Sequence, residues 1–171
     1  MSNKYELTDE TKVVYGVTLR RIRALIAIGT TVAAGQLGGW VEGENNLDQS
    51  GNAWVYSDAQ VSGNAQVYGN AWVYGDARVS GNARVFGDAR VFGNARVSGD
   101  RDVFWVSNVG TENGTLTVFA GEDGPLVTRG CFLGTPDEFL AKSAKVHGEK
   151  TQREYRLLIE VALSRLSRDQ E

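Results

Sequence analysis

Small apolar and polar positions alternate through the middle of the chain with a period of six residues. The units between residues 51 and 104 read GNAWVY, SDAQVS, GNAQVY, GNAWVY, GDARVS, GNARVF, GDARVF, GNARVS and GDRDVF, without an insertion. Glycine followed by Asn or Asp tolerates a positive φ and turns the chain. Between the turns, Ala and Val stand two residues apart, so both point to one face of a strand. The pattern predicts short strands that coil into a solenoid with Ala and Val inside.

The outward residue after each Val indicates how many units make one coil. If three strands close a triangle, residues 18 positions apart stack on each other. At that spacing the chain contains three uniform columns, namely Tyr56, Tyr74, Phe92; Ser62, Ser80, Ser98; and Tyr68, Phe86, Phe104. Coils of two or four units would mix these sets. We therefore predict three-sided coils about 4.8 Å apart, with Val55, Val73 and Val91 in one column.

The segments that flank the repeats have different patterns. Before the repeats we predict strands at residues 5–7, 12–15 and 17–28, with a turn at residues 8–10. After them, GEDG at residues 121–124 predicts a hairpin, and TPDE at residues 135–138 predicts a capping box that begins a helix. A second helical face covers residues 152–166. Because the ends of a solenoid carry unpaired strands, we expect both flanks to cap it.

The fold class predicted is mainly β, a triangular parallel β-helix with an N-terminal β cap and a C-terminal hairpin plus two helices. The expected boundaries are residues 1–38 for the N-terminal cap, 39–110 for the β-helix and 111–171 for the C-terminal region.

The repeated V-x-G-N-A-x and V-x-G-D-A-x units resemble the hexapeptide repeat of left-handed parallel β-helix proteins. The likeness is strong over the nine units and weaker over residues 39–50 and 105–110. A left hand is implied by this resemblance alone, because crossovers between parallel strands are otherwise right-handed. The whole chain, with LGGWVE at residues 37–42, also resembles small proteins of phages and prophages.

The resemblance raises the question of catalysis, since hexapeptide-repeat proteins include acyltransferases that use a histidine base. No histidine lies in the repeats, and the only one, His147, falls at the end of a predicted helix. Carbonic anhydrases of this fold need three histidine ligands to zinc. Cys131 has no evident base, and we expect a buried thiol in the hairpin. We therefore predict a protein that is not an enzyme, with no catalytic residue, cofactor or metal. The alternatives are an acyltransferase with a displaced active site and a virion structural component.

Charge and composition exclude further classes. The net charge of −3 argues against a general nucleic-acid binder or a binder of anionic membranes, which carry a basic excess. The longest apolar run, residues 24–28, is far too short to cross a bilayer. The polar start lacks a signal-peptide pattern, and one cysteine allows no internal disulfide. We expect a cytoplasmic protein, in the host cytosol if a phage encodes it.

The two aromatic columns predict self-association. They lie on adjoining faces, and a soluble monomer rarely exposes so large an apolar patch. A homo-oligomer, with a trimer favoured, would bury the patch by symmetry. The alternative is that the flanks cover it. The predicted interface residues are Trp54, Tyr56, Tyr68, Trp72, Tyr74, Phe86, Phe92 and Phe104.

Arginines enter the outward positions toward the C-terminal coils and suggest a binding site. Aromatic rings stack on bases and arginine forks bind phosphate, so the columns could hold an anionic, nucleotide-like ligand or an acidic surface of a host protein. Arg78 and Arg96 stand among serines and are expected to matter less, and Asp102 is expected to point outward. The function predicted is stoichiometric binding, as an inhibitor of a host defence protein or a sponge for a nucleotide signal. The predicted binding residues are Trp72, Tyr74, Arg84, Phe86, Arg90 and Phe92.

Overall fold

The structure is a computed structural model that describes residues 3–166. It begins with an antiparallel hairpin of β1 (Tyr5–Val14) and β2 (Val17–Ala24), and β3 (Leu37–Val41) pairs antiparallel with β2. The turn predicted at residues 8–10 is wrong, because those residues form an irregularity inside β1. The chain reverses instead at Tyr15 and Gly16, whose φ angles are 49° and 81°. On its other side β3 pairs in parallel with the repeats, so the hairpin continues the solenoid sheet.

Eight strands of two residues follow one another through the repeats. They are β4 (Trp54–Val55), β5 (Gln60–Val61), β6 (Gln66–Val67), β7 (Trp72–Val73), β8 (Arg78–Val79), β9 (Arg84–Val85), β10 (Arg90–Val91) and β11 (Arg96–Val97). They stack in parallel as three sheets, β4-β7-β10, β3-β5-β8-β11 and β6-β9. The predicted column of Val55, Val73 and Val91 is confirmed. The mainly β solenoid is therefore confirmed, and its left hand stays a prediction.

A dry core and hydrogen bonds along the axis hold the coils together. The Ala and Val residues of the eight strands and their turns are buried, and Trp54 N and Trp72 N each donate to an alanine carbonyl of the next coil at 3.0 Å. The turns stack closely as well. Gly69 has a φ of +71°, and a Cβ there would lie 3.1 Å from Gly87 N. Ser57, with a φ of 49°, occupies the position that glycine holds in the other stacked turns. Glycine at these corners therefore permits both the turn and the close approach.

The ninth unit departs from the pattern and ends the stack. Its residues Asp100–Asp102 form a 3₁₀ turn, and Asp102 is only 3% exposed. Its Oδ2 accepts hydrogen bonds from Ser98 N, Ser98 Oγ and Gly99 N, at 2.8, 2.8 and 3.0 Å. The prediction that Asp102 points outward is therefore wrong. The other end is similar, since buried Asn46 is the last residue of a 3₁₀ turn and donates to two carbonyls of the next coil, those of Gly63 and Ala65. A buried polar side chain thus closes each end.

The C-terminal region is a four-stranded antiparallel sheet followed by two helices. Its elements are β12 (Val103–Val109), β13 (Gly114–Gly121), β14 (Gly124–Arg129), β15 (Phe132–Gly134), α1 (Pro136–Val146) and α2 (Glu149–Leu166). The predicted hairpin and capping box are both confirmed, and Glu138 Oε2 accepts from Thr135 N at 2.8 Å. The helices and the sheet bury a second core around Val118, Phe139 and Tyr155. Neither helix of the described residues is long and apolar enough to cross a membrane.

Candidate functional site

Aromatic side chains form two ladders along the outside of the solenoid, as the columns predict. Tyr74 stacks on Phe92 with ring centroids 4.4 Å apart and an interplanar angle of 11°. On the next face, Tyr68 stacks on Phe86 at 4.9 Å and 2°. Each of these rings is half-buried within its own chain. The ladders therefore shield part of their apolar area within the chain, and the open patch is smaller than the sequence predicts.

Two predicted interface residues lie elsewhere than expected. Trp54 is 0% exposed, because the N-terminal hairpin covers it and Tyr5 packs edge-on against its ring at 6.3 Å. The prediction that Trp54 lies on an exposed face is therefore wrong. Phe104 packs against the second core instead of on Phe86. Trp105 takes its place, with its ring 4.4 Å from Phe86 at 83°, because the 3₁₀ turn of the ninth unit changes the register.

The predicted binding residues separate into two places. Trp72, Tyr74, Arg90 and Phe92 belong to the face of β7 and β10, whereas Arg84 and Phe86 belong to the face of β6 and β9. On the first face, the Arg90 guanidinium lies 4.6 Å over the ring of Trp72. These two residues line a groove of about 320 Å³, whose other side is the loop that contains Thr30. The groove lining contains only one arginine.

The second place is a pocket of about 300 Å³ at the end of the solenoid. Its lining includes three arginines, from a repeat strand, the terminal turn and the last turn of α2, together with three aromatic residues. These six side chains are Arg84, Arg101, Arg165, Phe86, Phe104 and Trp105. We call this the Arg84 pocket. Asp100 is the only carboxylate in its lining, so the pocket carries a local excess of positive charge.

Asp100 already binds Arg84 in a two-point geometry. Asp100 Oδ2 lies 2.6 Å from Arg84 Nη2, and Asp100 Oδ1 lies 3.1 Å from Arg84 Nε. The hydrogen bonds from Arg84 lower the pKa of the Asp100 carboxyl and in turn raise the pKa of the Arg84 guanidinium. Arg101 and Arg165 form no ion pair with any residue in the described part of the chain. Two of the three guanidinium groups therefore remain available to an anion.

The pattern of the repeats could not reveal most of this pocket. Arg101, Trp105 and Arg165 lie outside the regular outward positions, and they meet Arg84 only because the C-terminal region folds back on the last coil. The one available signal is the position of Arg165 in the last turn of a predicted helix. Nothing in the local sequence places that turn beside a repeat strand.

The two residues considered for catalysis are His147 and Cys131. His147 is the C-cap of α1, where its ring lies edge-on to Tyr155 at 5.5 Å. Cys131 is exposed in the turn between β14 and β15, so the prediction of a buried thiol is wrong. Between residues 3 and 166, no group of three or more His, Cys, Asp or Glu side chains is placed to hold a metal ion.

Fold and geometry together define a β-solenoid repeat protein with a β hairpin at one end and a sheet with two helices at the other. Four overlapping stretches, residues 59–75, 65–79, 77–91 and 89–103, match the family model described as the YdcK beta solenoid repeat. The match lies inside the repeats and covers well under half of the chain. The repeat is therefore similar to that family's repeat, and the flanks are outside the match. Comparison with curated proteins gave no significant match.

Proposed function

We propose that the protein is a non-catalytic binding protein that holds an anionic, ring-bearing ligand in the Arg84 pocket. The observation that carries the proposal is that three arginines and three aromatic residues line one pocket, with a single carboxylate among them. Arginine forks bind phosphate and carboxylate groups at two points, and aromatic rings stack on nucleobases. A nucleotide combines both chemistries in one molecule, so nucleotides are the ligand class that fits best.

The contact between Arg84 and Asp100 supports this assignment. Asp100 occupies the fork of Arg84, with Nη2 and Nε both in hydrogen-bond range, so a carboxylate oxyanion is already accommodated at this wall of the pocket. Arg101 and Arg165 supply the two charges that are unpaired within the described residues for the oxygens of a phosphate. The ring of Trp105 packs edge-on against Phe86, so two of the lining aromatic rings already contact each other without a ligand. Rigid pockets lose less entropy on binding.

More specifically, we propose that this is a phage-type protein that acts by stoichiometric binding in the host cytosol. It would sequester a nucleotide signal or inhibit a host defence protein. The reason for this more specific proposal is the sequence interpretation that LGGWVE at residues 37–42 and the repeats resemble small phage and prophage proteins, and a place in the virion is the alternative. The pocket chemistry favours the nucleotide over the protein target, because three guanidinium groups enclose a small volume.

Calorimetric titration tests the proposal. A nucleoside monophosphate and a cyclic dinucleotide are titrated into the wild type and into the Arg101→Ala, Arg165→Ala and Arg96→Ala variants. Arg96 is the matched control, because its guanidinium is already held by Glu122 Oε2 at 2.7 Å and by Asp76 O at 3.1 Å. A charge-assisted hydrogen bond contributes about 1.5 to 3 kcal/mol, so each pocket variant should weaken binding about tenfold or more.

Two outcomes would contradict the proposal. If neither nucleotide binds the wild type, or if all three variants bind as tightly as the wild type, the pocket is not a nucleotide site. Incubation with acetyl-coenzyme A and amine acceptors, followed by mass spectrometry, addresses catalysis. Release of more free coenzyme A than protein present would favour the acyltransferase alternative.

We also propose that the chain forms a homo-oligomer, with a trimer favoured. The support is the pair of stacked ladders on adjoining faces, whose rings stay half-exposed along the length of the solenoid. Light scattering of the wild type should report a multiple of 18.6 kDa, and a Trp72→Ser/Tyr74→Ser double variant should lower the mass toward that value. A monomeric wild type would end this proposal and leave the nucleotide pocket untouched.

A further inference from the structure

The tip of the N-terminal hairpin carries an aromatic residue in an unfavourable position. Tyr15 and Gly16 form the two-residue turn between the paired residues Val14 and Val17, and both have a positive φ. Such turns favour Asn, Asp or Gly at the first position, because a side chain with a large ring is strained at positive φ. The ring of Tyr15 is also 87% exposed, so burial in the chain does not offset the strain. A residue that is strained and exposed suggests a role outside the free fold.

A residue of the solenoid fixes the orientation of the Tyr15 ring. Arg78, on strand β8, donates from Nη1 to Tyr15 Oη at 2.9 Å, and its guanidinium lies 5.2 Å from the ring centroid. The other face of the ring is open. Val13, one residue before the strand end, is 69% exposed on the opposite face of the hairpin. The tip therefore presents an exposed aromatic ring in a set orientation, and aromatic side chains are enriched in the centres of protein interfaces.

A groove of about 500 Å³ runs between this tip and the serine column of the solenoid. The apolar side chains of Val14, Val17 and Leu19 line it on the hairpin side. On the solenoid side are the hydroxyls of Ser62 and Ser80, which form no hydrogen bond with any residue among those described. The groove thus has an apolar wall on one side and free hydroxyl groups on the other. An extended peptide could contact both, because it carries apolar side chains and backbone hydrogen-bonding groups.

The charged side chains that line the groove are Arg78 and Arg96, and Lys12 is the strand partner of the lining residue Leu19. Lys12 Nζ lies 4.3 Å over the ring of Trp40, and Arg21 lies 5.3 Å over the same ring. Burial lowers the pKa of the Lys12 ammonium, and the nearby charges of Arg21 and Arg78 lower it further while Asp58 opposes them. Glu10 contacts Arg21 at 3.4 Å. Lys12 forms no ion pair within the described residues, so an external carboxylate could partner it.

We propose that the hairpin tip and this groove dock an acidic, extended segment of a partner protein, with Tyr15 as the central contact. An apolar side chain of the partner lies against Val14 and Val17, and its carboxylates meet Arg78 and Lys12. The surface lies on a different face from the Arg84 pocket, so the proposal does not depend on the nucleotide site.

Fluorescence anisotropy with labelled synthetic peptides tests this inference. The probes are a 12-residue peptide that alternates Glu with Leu and Phe, the same peptide with Lys in place of Glu, a single-stranded oligonucleotide, and anionic lipid vesicles in a sedimentation arm. The acidic peptide should bind at low salt, and the basic peptide should not. Tyr15→Asn should weaken binding about tenfold or more, because truncation of a central aromatic contact has an effect of that size. Leu157→Asn, an exposed apolar residue on α2, is the matched control and should bind like the wild type.

Thermal unfolding of the same variants separates docking from a structural role for Tyr15. Asn suits the turn, so Tyr15→Asn should unfold at the same temperature as the wild type or higher. Tyr15→Phe keeps the ring and should keep most of the binding. The inference is overturned if Tyr15→Asn binds the acidic peptide as well as the wild type, or if it lowers the unfolding temperature, which would make Tyr15 an anchor for the hairpin. Preferential binding of the oligonucleotide or the vesicles would also overturn it.

Discussion

Truncation of Val73 should reveal how tightly the coils are packed. Val73 lies between Val55 and Val91 in one column and is fully buried. Val73→Ala removes two methyl groups, a loss of about 1.6 kcal/mol in transfer free energy at about 0.8 kcal/mol per carbon. The residual cavity adds about 24 cal/mol per Å³, or about 1 kcal/mol for a volume of about 50 Å³. Since hydrogen bonds fix the coils on both sides, the cavity should not collapse, and we expect a total loss of about 2.5 kcal/mol.

Urea unfolding followed by circular dichroism measures this loss. Val13→Ala is the matched control, because Val13 is 69% exposed and its truncation should change the free energy of unfolding by less than about 0.5 kcal/mol. Val73→Asp should be worse than Val73→Ala and cost more than about 4 kcal/mol, because a charge without a partner enters the core. Equal losses for Val73→Ala and Val13→Ala would refute the idea of a close-packed column.

Three further predictions concern single side chains. Ser57→Gly should raise the free energy of unfolding by up to about 1 kcal/mol in the same assay, since Ser57 has a φ of 49° where the stacked turns use glycine; a loss of stability would contradict this reasoning. Burial lowers the pKa of Lys4 from 10.5 to about 8. At pH values between these two, the unfolded chain binds more protons than the folded chain, so the free energy of unfolding should rise with pH. Lys4→Met should lack that rise and lose the hydrogen bonds to Ser50 O and Ala53 O, and parallel pH profiles for the two proteins would contradict the assignment. Cys131 should react with a thiol reagent in the native state as fast as in urea, and a protected thiol would contradict its exposure.

The coil geometry could be predicted from the sequence because it depends on local repetition. Residues 18 apart have the same neighbours in every coil, so a uniform column such as Tyr56, Tyr74 and Phe92 reports the coil length directly. The capping box at Thr135 was equally readable, because its hydrogen bonds join residues three apart. In both cases, the contacts follow from spacing along the chain.

Features that depend on distant contacts could not be predicted in this way. Trp54 has the same place in its unit as Trp72, but only Trp54 is covered by the N-terminal hairpin. The turn at Tyr15 was missed because Thr8, Asp9 and Glu10 have a turn-like composition and Tyr does not. Arg165 reaches the Arg84 pocket through the packing of α2 on the last coil, which no periodicity records. The errors therefore cluster at the two ends of the solenoid.

The corner amides have a consequence for how such a chain can change length. Asn52 donates to Asn70, Asn70 donates to Asp88, and Asn64 donates to Asn82, each across an offset of 18 residues. A gene duplication or deletion of 18 codons would add or remove one whole coil and keep every column in register. A change of six or twelve codons would instead rotate the following coils by one or two faces, which stacks tyrosines on serines and tryptophans on glutamine or arginine. The length of the solenoid should therefore evolve, or be engineered, in steps of one full coil, with the hairpin and the C-terminal sheet kept as its two ends.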